Sequence, residues 1–258
     1  MQSQGNSPYT AIMFRPLVML LSVSLIAPAV FYAQQPPTAA KSEASPNGDA
    51  PWIADAARRR QELIDRNGPG TDGSLQARLI GMRDADQDAR GIAHGQAKNN
   101  GTLQMASNMA EIDAQLTSQL KEIVAKSGWP TIKLVGIDAS NGAMLVLTHT
   151  KDHAWQLSLL PLLEKLADEG RIDGLPLAFV IDKELVAEGK LQRYGTQFTR
   201  VDSGIGMYGV EDPGGLDAAR TRVGLPPIEE YKKQLEAMYH LKVTGKIVMA
   251  PAPTAPAK

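Results

Sequence analysis

Apolar residues recur every three or four positions over much of this chain, a spacing that predicts amphipathic helices. The clearest stripe lies within residues 102–126, and its members are Met109, Ile112, Leu116, Leu120 and Ile123. The same pattern of apolar and polar residues predicts further helices at 52–66, 73–96, 140–150, 157–167, 175–188, 216–223 and 228–240. The predicted fold class is therefore mainly α.

The region near residues 190–214 has a different sequence pattern, because glycines interrupt it repeatedly. Two short runs of β-forming residues lie within it, from Gln197 to Val201 and from Gly206 to Val210. Short β-like runs separated by turn residues are typical of a hairpin. We therefore predict a single helical domain, 52–242, with a small β-hairpin/loop region near 190–214.

Prolines cluster at both ends of the chain. Proline removes a backbone donor and fixes φ, so proline-rich segments resist helix and sheet. We predict a Pro/Ala/Ser linker at 34–51 and a Pro/Ala-rich disordered tail at 243–258.

The N-terminal flank contains Arg15 followed by an apolar run from Leu17 to Ala33. A basic residue, a short apolar stretch and then small residues are typical of a secretory signal peptide. We predict a signal peptide over 1–33, and a periplasmic or extracellular protein with no stable membrane span after processing. An uncleaved membrane anchor is the alternative. The residues before Met13 carry no charge, which is unusual in a signal peptide, so we predict that translation starts at Met13.

Composition narrows the function classes. The formal net charge is −1 and the chain has no cysteine. Near-neutral charge gives no reason to expect a nucleic-acid partner. The missing cysteines exclude disulfides, thiolate zinc sites and a cysteine nucleophile. The sequence also lacks a phosphate-binding loop and a dinucleotide fingerprint, so no cofactor is predicted.

A series of short motifs runs through residues 80–235. They are Asp86-Gln87-Asp88-Ala89-Arg90, Gly128-Trp129-Pro130-Thr131, Val135-Gly136, His149 with Gln156, Asp182, Gln192-Arg193-Tyr194-Gly195-Thr196-Gln197, Arg222-Val223-Gly224-Leu225 and Tyr231. In this order they resemble a bacterial family catalogued as domain of unknown function 6624. The Gln-x-Tyr-Gly-Thr-Gln element is the most specific of them, whereas Thr148 departs from the Gln that often precedes the family's His. The resemblance implies no known activity.

Asp86 and Arg90 are the first candidate residues for a polar site. Asp86 continues the apolar stripe of its helix four residues after Met82, and Arg90 follows four residues later. An Asp and an Arg at this spacing can pair along a helix, and a buried charge needs such a partner. The pair is either an internal ion pair that fixes packing or the charged wall of a pocket.

His149 is the second candidate. If its helix continues, His149, His153 and Gln156 share one face, and a His pair four residues apart could hold a metal. Asp152 could be a third ligand, or it could cap the next helix and break that face. Because firm three-ligand geometry is lacking, we predict no metal. His149 is then an acid–base or hydrogen-bonding residue, or it has a structural role.

The segment from Gln192 to Gln197 is the densest polar cluster, with Tyr194, Gly195 and Thr196 between two amides. Amides beside an aromatic ring suit sugars and peptides. Alternatively, the glutamines tie down neighbouring backbone groups. Trp129 could stack on a ligand, although a lone tryptophan more often belongs to the core.

Three hypotheses follow, and the sequence leaves open whether the protein is an enzyme. In the first, His149 is the general acid/base of a hydrolase acting on an envelope-related substrate. Asp182 or Asp86 orients it, and Arg90 stabilises an anion. The predicted small-molecule, sugar or peptide ligand is held by Gln192, Tyr194, Gly195, Thr196, Gln197, Gln156 and Trp129. The second hypothesis is a non-catalytic binding module, and the third is a helical scaffold.

Overall fold

The computed structural model describes residues 51–91 and 106–250, together with the backbone of Ser24–Leu25. Most of these residues are helical, which confirms the predicted fold class. The helices in the described ranges are α1 (Pro51–Asn67), α2 (Gly73–Ala89), α3 (Met109–Ser127), α4 (Ile132–His149), α5 (His153–Asp168), α6 (Gly174–Ala187), α7 (Leu216–Val223) and α8 (Ile228–Tyr239).

Aspartates begin three of these helices. Asp72 accepts a hydrogen bond from the amide of Leu75 at the start of α2, at 2.9 Å. Asp152 caps α5 and Asp173 caps α6 in the same manner, each at 3.0 Å. A carboxylate at this position satisfies an amide that has no partner within the helix. These caps fix where the helical segments of the core begin.

Helix α4 begins earlier than predicted. Its first turns contain Gly136, whose φ of 76° is not helical, so the chain kinks there and continues to His149. A side chain at Gly136 would place its Cβ 2.6 Å from the carbonyl oxygen of Pro69. Glycine is therefore required for the left-handed backbone and for the close approach. The predicted helix, 140–150, misses these first turns and the kink.

Two hydrophobic clusters form the core, and α6 separates them. The larger cluster is built from α2, α3, α4, α5 and one face of α6. The smaller cluster joins the other face of α6, including Phe179, to the strands and to Tyr231 and Leu235 of α8. Because α6 is buried on both faces, neighbouring polar residues near its end reach different parts of the molecule.

A small sheet packs beside α8. Strands β2 (Phe198–Val201) and β3 (Gly204–Tyr208) form the hairpin that the sequence predicts, with Phe198 opposite Met207. Strand β4 (Val243–Val248) pairs in parallel with β3, and the two residues of β1 (Ser24–Leu25) pair with β2.

Strand β4 corrects one predicted boundary. The predicted disordered tail, 243–258, includes its residues, but β-branched Val243, Ile247 and Val248 line up beside β3 and pair with it. The remaining tail, 251–258, lies outside the described residues, as do the predicted linker up to residue 50 and all of the predicted signal peptide except Ser24–Leu25. Within the part of the chain that is described, no helix is both long enough and apolar enough to cross a membrane.

Candidate functional site

The ends of α2 and α4 meet at a buried cluster of charged residues. Asp86 is 1% exposed, and its Oδ1 accepts a hydrogen bond from His149 Nδ1 at 2.7 Å. The same oxygen lies 2.9 Å from Nη1 of Arg90, whose Nη2 lies 2.8 Å from Oδ1 of Asp113 on α3. The side-chain amide of Gln87 donates to the other oxygen of Asp86. The i,i+4 ion pair predicted for Asp86 and Arg90 is therefore present, and it also includes His149.

The His149 ring is held at one nitrogen. A carboxylate only accepts hydrogen bonds, so Nδ1 carries the proton that is shared with Asp86. Nε2 has no hydrogen-bond partner among residues 51–91 and 106–250, and the side chain is 6% exposed. A carboxylate on Nδ1 selects the tautomer in which Nε2 is a proton acceptor.

Lys183 lies beside this cluster and was missed by the sequence reasoning. Its ammonium donates to the carbonyls of Thr148 and Thr150 at 2.7 and 2.8 Å, and to Oε1 of Gln156 at 3.3 Å. Burial lowers the pKa of Lys183 to about 8, and the nearby Glu184 opposes this shift. The only signal in the sequence was the charged triplet Asp182-Lys183-Glu184 in an otherwise apolar helix.

Gln156 is fully buried rather than turned towards a ligand. Its amide donates to the carbonyl of Leu147 at 2.5 Å while its oxygen accepts from Lys183. The ligand-binding role predicted for Gln156 stays a prediction that these contacts do not support.

The helix face predicted to contain both His149 and His153 does not exist. Thr150 ends α4 and Asp152 caps α5, so the chain turns between the two histidines. This confirms the alternative in which Asp152 caps the next helix. His153 instead pairs with the buried carboxylate of Glu184 at 2.9 Å. Among the described residues, no group of three His, Asp or Glu side chains is arranged to hold a metal ion.

Asp182 holds the Gln192–Gln197 loop and makes no hydrogen bond to His149. Its carboxylate accepts from the amides of Arg193, Tyr194 and Thr196 at 2.7, 3.1 and 2.9 Å. It also accepts from the hydroxyl of Thr196 at 3.0 Å. Burial raises the pKa of Asp182, and these hydrogen bonds act against the rise. Of the two carboxylates predicted to orient His149, it is Asp86 that contacts it.

The two glutamines of the loop bond to each other and to the backbone. Gln192 Nε2 donates to the carbonyls of Gln197 and Tyr208 at 3.2 and 2.7 Å, and Gln192 Oε1 accepts from the amide of Gln197 at 2.9 Å. Their exposures are 0 and 1%. These contacts match the interpretation in which the amides tie down backbone groups. Gln197 Nε2 in turn donates to the hydroxyl of Thr196 at 3.0 Å and to the carbonyl of Phe179 at 3.5 Å.

A buried arginine closes the loop from its other side. Arg220 is fully buried and donates to the carbonyls of Tyr194, Gly195 and Pro226. It also lies over the ring of Tyr231, 4.9 Å from the centroid. Gly195 adopts a φ of 63° and is packed so tightly that a Cβ would lie 3.3 Å from Ile228. No sequence pattern singles out Arg220, because its contacts depend on how α7 packs against the loop.

Trp129 belongs to the larger core cluster and is 4% exposed. It is therefore not placed to stack on a ligand from solvent. Tyr194 differs from the other predicted ligand-binding residues, because its half-buried side chain lines a cleft on the surface.

A family model matches residues 73–244, which is more than half of the chain. It describes a family of unknown function, DUF6624. The chain belongs to the DUF6624 family. Neither a curated protein nor a solved structure gives a significant match.

The family match covers both polar clusters but not the whole surface around them. The His149 cluster and the Gln192–Gln197 loop lie within the matched range, whereas α1 precedes it. Helix α1 is nevertheless attached to the DUF6624 domain by specific contacts. Arg60 pairs with Asp138 at 2.8 Å, and Asn67 donates to the carbonyl of Gly170 at 2.9 Å. Any site that includes α1 therefore extends beyond the family's matched region.

Proposed function

We propose that this member of the DUF6624 family is an exported enzyme that uses His149 as a general acid–base in hydrolysing an envelope-related substrate. The observation that carries the proposal is the hydrogen bond between His149 Nδ1 and Asp86 Oδ1, which leaves Nε2 without a partner in the described ranges. This is the arrangement that an imidazole needs in order to accept a proton at Nε2.

The chemistry follows from the neighbours of the imidazole. Nε2 accepts a proton from a water molecule as that water attacks the substrate, and His149 then returns the proton to the leaving group. Asp86 stabilises the imidazolium that exists between these steps. Arg90 is a positioning residue in this scheme, because its guanidinium is engaged by Asp86 and Asp113. The anion-stabilising role first predicted for Arg90 is therefore not part of the proposal.

An activity screen with a matched control tests the catalytic proposal. The full chain, His149→Gln and His240→Gln are assayed against ester, amide and glycoside model substrates. We expect one class to be hydrolysed by the wild type and by His240→Gln, and at least about a hundredfold more slowly by His149→Gln, since general acid–base catalysis is worth about 10²–10⁴-fold. Equal rates for the two variants, or no hydrolysis of any class, would overturn the proposal.

Export is a separate part of the proposal, and it rests on Arg15 and the apolar run from Leu17 to Ala33. The small residues Ala29 and Ala33 suit signal cleavage. We expect N-terminal sequencing of protein from the native host to begin at Val30 or Gln34. An intact N-terminus in the cytosolic fraction would contradict export and would leave the acid–base proposal standing.

Non-catalytic ligand binding is the second candidate function. It is favoured by the surface cleft that Tyr194 lines, because His149 does not line that cleft. A binding module of this kind would keep its ligand affinity when His149 is replaced. The same His149→Gln variant therefore separates the two candidates once a ligand is in hand.

A further inference from the structure

A cleft of about 660 Å³ lies between α1, the segment after α5, the Arg193–Tyr194 corner and α7. Small-molecule sites have volumes of roughly 300–1,000 Å³, so the cleft is of suitable size. One of its walls is α1, which lies outside the range matched by the family. The cleft is thus distinct from the His149 cluster and is completed by a helix that the family match does not include.

The corner that presents Tyr194 to the cleft is rigidly held. The Tyr194 amide donates to Asp182, and its carbonyl accepts from the buried Arg220. The neighbouring Arg193 is paired with Glu164 at 2.6 Å. The phenol hydroxyl itself has no hydrogen-bond partner in the described ranges, and burial raises its pKa, so it retains its proton and can donate. The anchored loop thus places Tyr194, with its hydroxyl unpaired among the described residues, in the wall of the cleft.

Two arginines in the cleft wall are also without partners. Arg66 lies at the end of α1 and Arg222 at the end of α7, and neither has a hydrogen-bond acceptor or an ion-pair partner within 51–91 or 106–250. By contrast, Arg59 in the same wall donates to the carbonyl of Thr221. A guanidinium with its donors free is well suited to bind a carboxylate with two parallel hydrogen bonds.

Acidic groups with no partner line the same cleft. The carboxylates of Asp168 and Glu211 have no hydrogen-bond or ion-pair partner among the described residues. The carboxylates of Glu62 and Asp212, also in the wall, are engaged by Arg58 and by the amide of Gly215. Unpaired charges of both signs favour a ligand that carries both signs, and they disfavour a polyanion.

We propose that this cleft binds a small zwitterion, namely an amino acid or a short peptide with free termini. Its carboxylate pairs with Arg66 and Arg222, and its ammonium group pairs with Asp168 and Glu211. The hydroxyl of Tyr194 donates to a polar atom of the ligand. The assignment does not depend on the acid–base role of His149, because none of these residues contacts His149.

Nuclear magnetic resonance titration of the isotope-labelled full chain tests the assignment. The probes are dialanine, the same dipeptide acetylated at its N-terminus and amidated at its C-terminus, and inorganic phosphate. We expect dialanine to shift the backbone signals of Tyr194 and Arg222 saturably, and the doubly blocked dipeptide to leave them unchanged. Arg222→Gln should weaken dialanine binding about tenfold, since hydrogen bonds to a charged group are the stronger class. Arg200→Gln is the control, because Arg200 is exposed and lies outside the cleft wall.

Each of the following results would overturn the assignment. The first is the absence of shifts at about 10 mM dialanine, a concentration ten times the Kd of a weak, ~1 mM site. The second is an equal response to the doubly blocked dipeptide, or equal affinities for Arg222→Gln and Arg200→Gln. The third is tighter binding of phosphate than of dialanine at the same signals, which would make the cleft a simple anion site.

Discussion

The His149 cluster and the Gln192–Gln197 loop are both buried and polar, but they differ in what they leave unpaired. In the loop, Asp182, Gln192 and Arg220 hold backbone amides and carbonyls, and the one unpaired nitrogen of Arg220, Nη2, is fully enclosed. In the His149 cluster, charged side chains bind one another, and Nε2 of His149 remains without a partner among the described residues. The polar groups of the loop stabilise its backbone, whereas the His149 cluster retains an imidazole nitrogen that can accept a proton.

The difference shows that the density of polar residues does not by itself indicate a binding site. Buried polar groups nearly always have hydrogen-bond partners. The side chains of a motif rich in polar residues therefore often bond to neighbouring backbone groups. A better indicator of a site is a polar group that has no partner once the hydrogen bonds within the protein are assigned. Two members of the loop motif, Arg193 and Tyr194, line a cleft, and Tyr194 is the one whose side-chain polar atom has no partner among the described residues.

The largest expected effect is on stability at the His149 cluster. Asp86→Ala removes the carboxylate shared by Arg90 and His149. Arg90 keeps Asp113 as a partner, so the loss comes from one buried ion pair and from the His149 Nδ1–H left without its acceptor, together about 3–5 kcal/mol. Urea unfolding of the full chain measures the change. Asp84→Ala is the control, because its ion pair with Arg83 is half exposed and such pairs contribute about 1 kcal/mol or less. Similar losses for the two variants would mean that Asp86 is not part of a coupled cluster.

A pH dependence is expected from Lys183. Its pKa is depressed from 10.5 to about 8 in the folded protein, so the unfolded chain binds more protons between these values and stability rises with pH there. Relative to that of Lys183→Met, the free energy of unfolding of the wild type should rise by up to about 3 kcal/mol as pH increases through this window. One pKa unit corresponds to about 1.4 kcal/mol. Unfolding curves at three pH values in the window measure the gain. Parallel curves for the two proteins would contradict it.

Substitutions in the Gln192–Gln197 loop should lower the stability of the protein without changing its catalytic activity. Gln192→Ala breaks three hydrogen bonds and leaves the buried amide of Gln197 unpaired, which costs about 2 kcal/mol. The exposed Gln115→Ala is the control and should change stability little. Any hydrolytic activity that depends on His149 should survive in the folded fraction of Gln192→Ala. A stable Gln192→Ala variant that loses activity would instead place Gln192 at the site.

Local patterns predicted much of the fold because they depend on neighbouring residues. Helix α7 has the predicted bounds, and the Asp86–Arg90 pair follows from i,i+4 spacing on one helix. The His149–Asp86 contact joins residues 63 positions apart, and the three acceptors of Lys183 lie 27–35 positions away. Such contacts depend on how the helices pack, which periodicity does not specify. For the same reason Asp182 and Asp86 could not be distinguished as partners of His149.

The tautomer of His149 tests the central claim most directly, because the proposed chemistry requires a free proton acceptor at Nε2. Nitrogen-15 resonance of labelled histidine distinguishes a protonated from an unprotonated ring nitrogen. For neutral His149 we predict a proton on Nδ1 and an unprotonated Nε2 in the wild type, with a mixture of tautomers in Asp86→Asn. A wild-type His149 that carries its proton on Nε2 would contradict the account, since that nitrogen could not then act as a base.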